Sequence, residues 1–396
     1  MSFERKNVGE ILQLASLEAR RLQIVIGPRQ VGKTTAAKQA AERSGYPSHY
    51  ASADEALPPG PEWIEAQWAA AGRLARERGG GPVWLILDEI QKVRGWSEEV
   101  KRLWDSGAGE GVLPLLLGSS ALLLQKGLSE SLAGRFFLHQ CGHWSFPEMR
   151  AAFQWDLEDW LVFGGYPGAA GYSAFAELWT RYVNDSLIET TLSRDILQME
   201  TVAKPALLRH LFGLAAHYPA QIFSYNKMLG QLVDAGNTTT LAHYLVLLGR
   251  AFLVTGLSAY SGGEVRRRAS SPKLILLNNA LATAVNSGTL AARHADPVWR
   301  GRLVENAVGA ALIGEFAAPG SGVYYWRDGV AEVDFVVRDG RKLLAVEVKS
   351  GRPGKVSGLG AFKKKYPKAL PVLVGSGGIE LAEFFENPGR VRGGVE

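Results

Sequence analysis

With 396 residues, 46% of them hydrophobic, the chain is too long for one ordinary core, and two or three domains are expected. A charged fraction of 21%, a mean hydropathy of −0.03 and the lack of any apolar run of roughly 18–20 residues exclude bilayer-spanning helices. Cys141 is the single cysteine, which excludes an intrachain disulfide, and a net charge of +5 is too mild to name a partner by itself.

The chain opens on "MSFERKNVGEILQL", which carries acidic residues and no apolar signal core. Together with the lone cysteine, read as a small packing residue, this leads to the expectation of a reducing, cytoplasmic compartment. Short apolar runs then alternate with helical stretches. "LQIVIG" is followed by a helix through about Arg43, and "SHYASA" by "PEWIEAQWAAAGRLARERG". "PVWLILDE" is followed by "WSEEVKRLWDSG", and "VLPLLLGSS" by "ALLLQKGLSES" and then "FFLHQCG". Runs that are apolar throughout suit strands buried on both faces, as in a parallel sheet covered by helices. The first 150 residues therefore read as an α/β domain.

Between those elements stands "GPRQVGKTT", residues Gly27, Pro28, Arg29, Gln30, Val31, Gly32, Lys33, Thr34 and Thr35. It fits G-x-x-x-x-G-K-[ST] after an apolar strand and before a good helix. Glycines let backbone N–H groups curl around an anion, and the helix aims its positive end at it. Lys33 is expected on the β- and γ-phosphates of ATP and the Thr34 hydroxyl on Mg²⁺. In "VWLILDE" four apolar residues lead to Asp88 and Glu89 at a strand's C-terminal end, where α/β sheets bind ligands. Asp88 is expected to hold Mg²⁺ and Glu89 to polarise the attacking water. "LLLGSS" ends another strand in Ser119 and Ser120, either of which can orient that water or cap the next helix. "SLAGRF" delivers Arg135, either a surface arginine or one reaching a γ-phosphate in cis or from a neighbouring subunit.

These residues, with "LLGSSA" and "FGGYPG", resemble the prokaryotic AAA-type ATPases that join an AAA core to a winged helix and a C-terminal nuclease-like domain. The resemblance spans nearly the whole chain. It implies Lys33, Thr34, Asp88 and Glu89 as nucleotide machinery, Ser119 or Ser120 as the sensing polar residue, and Arg135 as the arginine finger. "SRDIL" (193–197) shares the family's look without a mechanism attached.

The expected division is an AAA core over 1–150, a helical linker or lid over 151–200, a winged helix over 201–285 and a nuclease-like domain over 296–396. The middle is helical: "PALLRHLFGLAAHY", "SYNKMLGQLVDAG" and "TTTLAHYLVLLGRAFLV", the last capped by Asn237. "LVTGLSAY" and "PKLILLN" then flank "SGGEVRRRASS", and three helices before a hairpin is the winged-helix order. On the third helix Ala242, Leu245, Leu247 and Leu248 serve the core, leaving His243 and the threonines 238–240. Sequence-specific readout is therefore not expected. Arg266, Arg267 and Arg268 on the wing would bind phosphates without specificity. A use for packing or subunit contacts is the alternative.

In the last unit, Asp334 ends "AEVD", and thirteen residues on Glu347 and Lys349 share one face of "LAVEVKSG". With Glu305 from "VENA" this resembles the PD-(D/E)XK nuclease core, which implies a second Mg²⁺ on Asp334 and Glu347 with Lys349 activating water. Residues 341–368 carry nine Lys/Arg against one Glu, and Lys363, Lys364 and Lys365 are candidate DNA-backbone contacts. None of the seven histidines stands at zinc-ligand spacing.

The functional expectation is an ATP-hydrolysing motor or switch that acts on duplex or branched DNA as a homo-oligomer, a hexameric ring being one form. The rivals are an ATP-gated Mg²⁺-dependent nuclease and a STAND-like signalling or defence switch that binds protein.

Overall fold

The computed structural model describes residues 3–17, 21–54, 57–118, 131–197, 202–232, 237–262, 271–286, 296–351 and 357–393. The chain forms two compact units, Met1–Gly142 and His143–Glu396, described separately below.

In the first unit, helix α1 (Lys6–Ala15) precedes β1 (Leu22–Ile26), α2 (Lys33–Ser44), β2 (Ser48–Ser52), α3 (Pro61–Glu77), β3 (Val83–Asp88), α4 (Trp96–Asp105), β4 (Val112–Gly118) and β5 (Phe136–Gln140). The strands form one sheet in the order β2-β3-β4-β1-β5. Every pairing is parallel. Three described helices, α2, α3 and α4, make the returns that parallel strands require. Strands β1, β3 and β4 are buried along their whole length, while β2 and β5 are the half-exposed edges. That is why the uniformly apolar runs of the sequence lie in the centre. Helix α3 buries Ile64, Trp68, Ala71 and Ala75, a stripe at three- and four-residue spacing. Burying each large side chain of such a core contributes about 1.5–3 kcal/mol. This is the parallel α/β architecture of P-loop NTPases, as the alternating pattern predicts.

The second unit opens with α5 (Phe146–Phe153), whose start is fixed by a capping box between Ser145 and Glu148. Helices α6 (Leu157–Phe163), α7 (Pro167–Ala170) and α8 (Ala176–Arg181) follow. The chain continues from α8 in widened π-helical turns over Tyr182–Glu189 and Thr191–Ile196, which hold most of "SRDIL" and bury its Asp195 and Ile196. Helices Pro205–His217, Tyr225–Gln231 and Thr238–Arg250 precede an antiparallel hairpin of β6 (Val254–Leu257) and β7 (Lys273–Leu276). Asn237 caps the third helix by accepting from Thr240 N at 2.9 Å. After helices Asn279–Val285 and Pro297–Glu315 comes a second sheet of β8 (Ser321–Asp328), β9 (Ala331–Asp339), β10 (Lys342–Lys349) and β11 (Leu370–Gly375). Its order is β11-β10-β9-β8, antiparallel except for the β10–β11 pair.

A large core cluster joins distant segments of the unit. Phe146 and Leu161 from α5 and α6, Leu257 and Ile275 from the hairpin, and Val304, Phe335, Val346 and Phe384 from the C-terminal part all belong to it. Residues from about 146 onward thus pack with the second unit. A buried asparagine cluster ties distant segments of this core. Asn306 accepts from Leu276 N and donates to Leu276 O and to Asn279 Oδ1, all at 2.9 Å. Asn279 donates in turn to the carbonyls of Leu161 and Leu303. Asn278 Oδ1 accepts from Gly165 N in "FGGYPG". A Cβ on Gly164 would stand 1.9 Å from that same Oδ1, and its φ of +69° is in the left-handed region, so glycine is required there.

Candidate nucleotide-binding site

Strand β1 ends at Ile26, and the segment 27–32 turns back into α2, which starts at Lys33. A Cβ at Gly27 would lie 1.9 Å from the Cys141 carbonyl, so the backbones of this turn and of the residue after β5 touch. Gly32 (φ +86°) and Gln30 (φ 59°) take left-handed conformations that give the loop its curl. Buried Arg5 braces it from outside. Its Nη1 donates to Val31 O at 3.3 Å, Gly142 O at 3.0 Å and Cys141 Sγ at 3.0 Å. Cys141 is indeed a packed, buried residue.

The Lys33 side chain folds over the loop and donates to the carbonyls of Gly27 (3.1 Å) and Pro28 (2.7 Å). Burial lowers its pKa below 10.5, opposed by the charges of Glu89, Cys141 and Asp88. Thr34 Oγ1 donates to Asp88 Oδ2 at 2.6 Å, although 54 residues separate the two. Asp88 Oδ1 accepts from Glu89 N at 2.9 Å. Strand β4 separates β1 from β3, so the acidic strand end and the phosphate-type loop share the C-terminal edge of the sheet. Glu89 has φ 54°, and its Oε2 accepts from Gln91 Nε2 at 2.5 Å. The structure thus brings Lys33, Thr34, Asp88 and Glu89 together. Thr34 and Asp88 are hard oxygen donors already in contact, a set that fits Mg²⁺ beside a polyphosphate.

Two residues of this site have no signature in the sequence. Tyr50, on the edge strand β2, donates to Asp88 Oδ2 at 3.1 Å. Its own pKa is raised, by burial first and then by Asp88. The Lys38 ammonium lies 4.2 Å from the centre of the Tyr50 ring. Arg5 is the other. Its only outward sign is an arginine ahead of an apolar-periodic helix, which is commonplace.

Ser119 and Ser120 lie outside the described residues. They directly follow β4, whose last residue is Gly118. Arg135 lies away from Lys33. It immediately precedes β5, whose Phe136 pairs with Leu22 at the start of β1, so Arg135 sits at the N-terminal edge of the sheet. The loop leaves the opposite edge, five residues of β1 away, roughly 15 Å at 3.3 Å per residue. Of the two expected deliveries, in cis or from a neighbouring subunit, this position places the side chain far from its own loop. Arg135 binds Asp105 through Nε (2.8 Å) and Nη2 (2.9 Å) and donates to Ala133 O.

In the second unit, Val346 of β10 pairs with Phe335 of β9, and Glu347 and Asp334 are the residues next to that pair along their strands. Lys349 donates to Glu347 Oε1 at 2.8 Å, and Asp334 Oδ2 accepts from Val348 N at 2.8 Å. Glu305 joins them through a residue not expected there, Lys273 of β7, whose ammonium is 2.5 Å from Glu305 Oε1. Among the described residues no group of three or more His, Cys, Asp or Glu is arranged to hold a metal ion. The second Mg²⁺ is expected on Asp334 and Glu347; Asp334 Oδ1 and Glu332 Oε1 each lie 3.8 Å from the same Lys273 ammonium.

Arg266, Arg267 and Arg268 lie outside the described residues. Lys363, Lys364 and Lys365 are exposed on helix Ser357–Lys365. Lys363 donates to Ala369 O and Lys365 to Asp328, both at 2.7 Å. On helix Thr238–Arg250 the inward residues are Leu241, Tyr244, Leu245, Leu247 and Leu248, while His243 is exposed and Ala242 half-buried. No described helix is long and apolar enough to cross a membrane.

Residues 19–150 match the model of an AAA domain. Residues 154–291 and 300–380 match two domains of unknown function, DUF8612 and DUF4143. Uncharacterized proteins of Mycobacterium tuberculosis (strain H37Rv) and Mycobacterium bovis are 28% identical to this chain over 358 residues, covering 88% of it and 74% of their own length. Among solved structures, the Walker-type ATPase of Pyrococcus abyssi aligns with a TM-score of 0.46 at 16% identity, covering 72% of this chain and 95% of its own. The RuvB Holliday junction branch migration motor of Thermotoga maritima aligns with a TM-score of 0.36 at 17% identity, covering 64% and 89%. The family match and the geometry agree on an AAA-type ATPase domain of P-loop fold at the N-terminal end.

Proposed function

We propose that the chain is an ATP-hydrolysing AAA-type switch or motor that acts on duplex or branched DNA as a homo-oligomer. The observation that carries the ATPase reading is the meeting of Lys33, Thr34, Asp88 and Glu89 at one sheet edge, from segments more than fifty residues apart. In this reading the amides of the loop 27–32 cradle the phosphates. Lys33 leaves the Gly27 and Pro28 carbonyls for the phosphate oxygens, and its depressed pKa recovers as it gains an anionic partner. Thr34 and Asp88 hold Mg²⁺, which neutralises charge on the phosphates. Glu89 exchanges Gln91 for the attacking water, which it orients and deprotonates. Ser119 or Ser120 follows the strand between the acidic and phosphate elements and serves as the polar sensor.

The position of Arg135 at the far edge of its own sheet supports action on a neighbour's nucleotide rather than its own. Three helices followed by the β6–β7 hairpin support a winged helix in the second unit, with the wing arginines 266–268 on phosphates. The exposed lysines 363–365 are further candidates for phosphate contacts. Such contacts are to the backbone, so binding depends steeply on salt and little on sequence.

A gel-shift series with duplex, forked and four-way DNA at 50 mM and 200 mM salt, with ATP turnover measured in parallel, tests this. Binding that weakens with salt, together with DNA-stimulated hydrolysis, is expected. Turnover without any DNA binding at low salt would leave the ATPase in place and transfer the output to a protein partner.

A further inference from the structure

Lys273 is the first residue of β7, in a hairpin that precedes the C-terminal sheet in sequence and is not part of it. It has no exposed surface. Its ammonium is 2.5 Å from Glu305 Oε1 and 3.8 Å from both Glu332 Oε1 and Asp334 Oδ1, and it donates to the Asp334 carbonyl at 3.2 Å. The face of Phe335 is 4.9 Å away. A buried lysine is among the rarest residues in a core, and it persists only when paired. Here one cation meets oxygens from three carboxylates and a carbonyl, supplied by helix Pro297–Glu315 and strand β9. An oxygen-rich, acidic pocket of this kind is also what a divalent cation takes in a two-carboxylate hydrolytic site.

We propose that Lys273 is the resident cation of this pocket, standing where a nuclease of this architecture would bind its metal, so that the C-terminal domain takes no divalent ion and cleaves nothing. Two further acceptors of the cluster are engaged in keeping with that. Asp334 Oδ2 is held by Val348 N, and Glu347 Oε1 by Lys349. Glu347 Oε2 is buried with no hydrogen-bond partner in the structure. Glu305, Glu332 and Asp334 surround the ammonium with negative charge. The ammonium also fastens the β6–β7 hairpin to the C-terminal sheet. The nuclease alternative is thereby set aside for a binding module.

The test is Mn²⁺ binding followed by electron paramagnetic resonance on the full chain, with Asp88→Asn present throughout to silence the nucleotide site. No bound Mn²⁺ dependent on Asp334 is expected: adding Asp334→Asn changes nothing. Adding Lys273→Gln instead opens a Mn²⁺ site at least about tenfold tighter than any residual binding, and Asp334→Asn abolishes it again. The Lys273→Gln chain melts lower than its parent, and Mn²⁺ raises its melting temperature but not the parent's. A Mn²⁺ ion held by the Lys273-containing chain and lost with Asp334→Asn overturns the proposal. So does a folded Lys273→Gln chain that gains no site. If Lys273→Gln does not fold, the comparison with and without Asp334→Asn in the Lys273-containing chain still decides between the two.

Discussion

Thr34 Oγ1 donates a 2.6 Å hydrogen bond to Asp88 Oδ2, joining the first turn of α2 to the end of β3 across the intervening strand β4. In the proposed function these two oxygens hold Mg²⁺. Tyr50 shares the same carboxylate oxygen at 3.1 Å, so loading the site rearranges a three-residue contact. Replacing Tyr50 by Phe removes one competitor for that oxygen. ATP affinity should change by less than about tenfold while the Mg²⁺ concentration needed for half-maximal turnover falls, because a neutral hydrogen bond contributes only about 0.5–1.5 kcal/mol. A rise in that concentration, measured by titrating turnover with Mg²⁺, would show Tyr50 holding Asp88 in place for the ion.

Lys33→Ala should weaken ATP binding by roughly ten- to a hundredfold in calorimetry, since hydrogen bonds to charged groups contribute about 1.5–3 kcal/mol. The unliganded Lys33 pKa lies below 10.5 because of burial, and a phosphate partner raises it. Binding is then linked to proton uptake. Affinity should be fully present on the acidic side of the unliganded pKa and decline as pH rises through it. An alkaline decline equally strong in Lys33→Ala would assign it to another group.

Glu89→Gln should bind ATP normally and turn over about 10²–10⁴-fold more slowly, the range for loss of a positioned general base. The amide keeps the size of the side chain and its contact with Gln91. Near-normal turnover in a phosphate-release assay would mean that another group activates the water.

Arg135→Ala should leave ATP binding intact and reduce turnover by about 10³-fold or more if the arginine serves a neighbouring subunit. Its partner Asp105 is also lost to it, but both are solvent-exposed, and such pairs contribute little to stability. Mixing Arg135→Ala with Lys33→Ala chains supplies subunit boundaries with both groups intact. Partial recovery of hydrolysis is expected, and its absence would remove Arg135 from the mechanism.

Asn306→Ala should destabilise the second unit by several kcal/mol. It is completely buried and makes three hydrogen bonds, so its loss leaves the Leu276 amide and carbonyl and Asn279 Oδ1 without their partner, each at about 1–3 kcal/mol. Chemical denaturation followed by tryptophan fluorescence measures this. A loss below about 1 kcal/mol would mean that water replaces the side chain.

The sequence alone determined the parallel sheet, the loop after β1 and the acidic end of β3. Each is written in contiguous residues: an apolar run buried on both faces, glycines where the backbone must curl, and a carboxylate directly behind four apolar positions. It also marked Asp334, Glu347 and Lys349, because strand periodicity puts alternate residues on one face. Only the tertiary structure decided which distant groups complete these sites. Lys273 reads as the polar start of "PKLILLN", yet folding buries it among three carboxylates. Tyr50 reads as one aromatic on a weak edge strand, yet it reaches Asp88. Arg135 could face either edge of the sheet until its register with β1 set it opposite the loop. "FGGYPG" carries a motif-like look but no stated reason until Asn278 is found against Gly164 and Gly165. The physical difference is range. Local patterns obey backbone periodicity and sterics, whereas a buried charge or amide finds its partner only when the whole core closes around it.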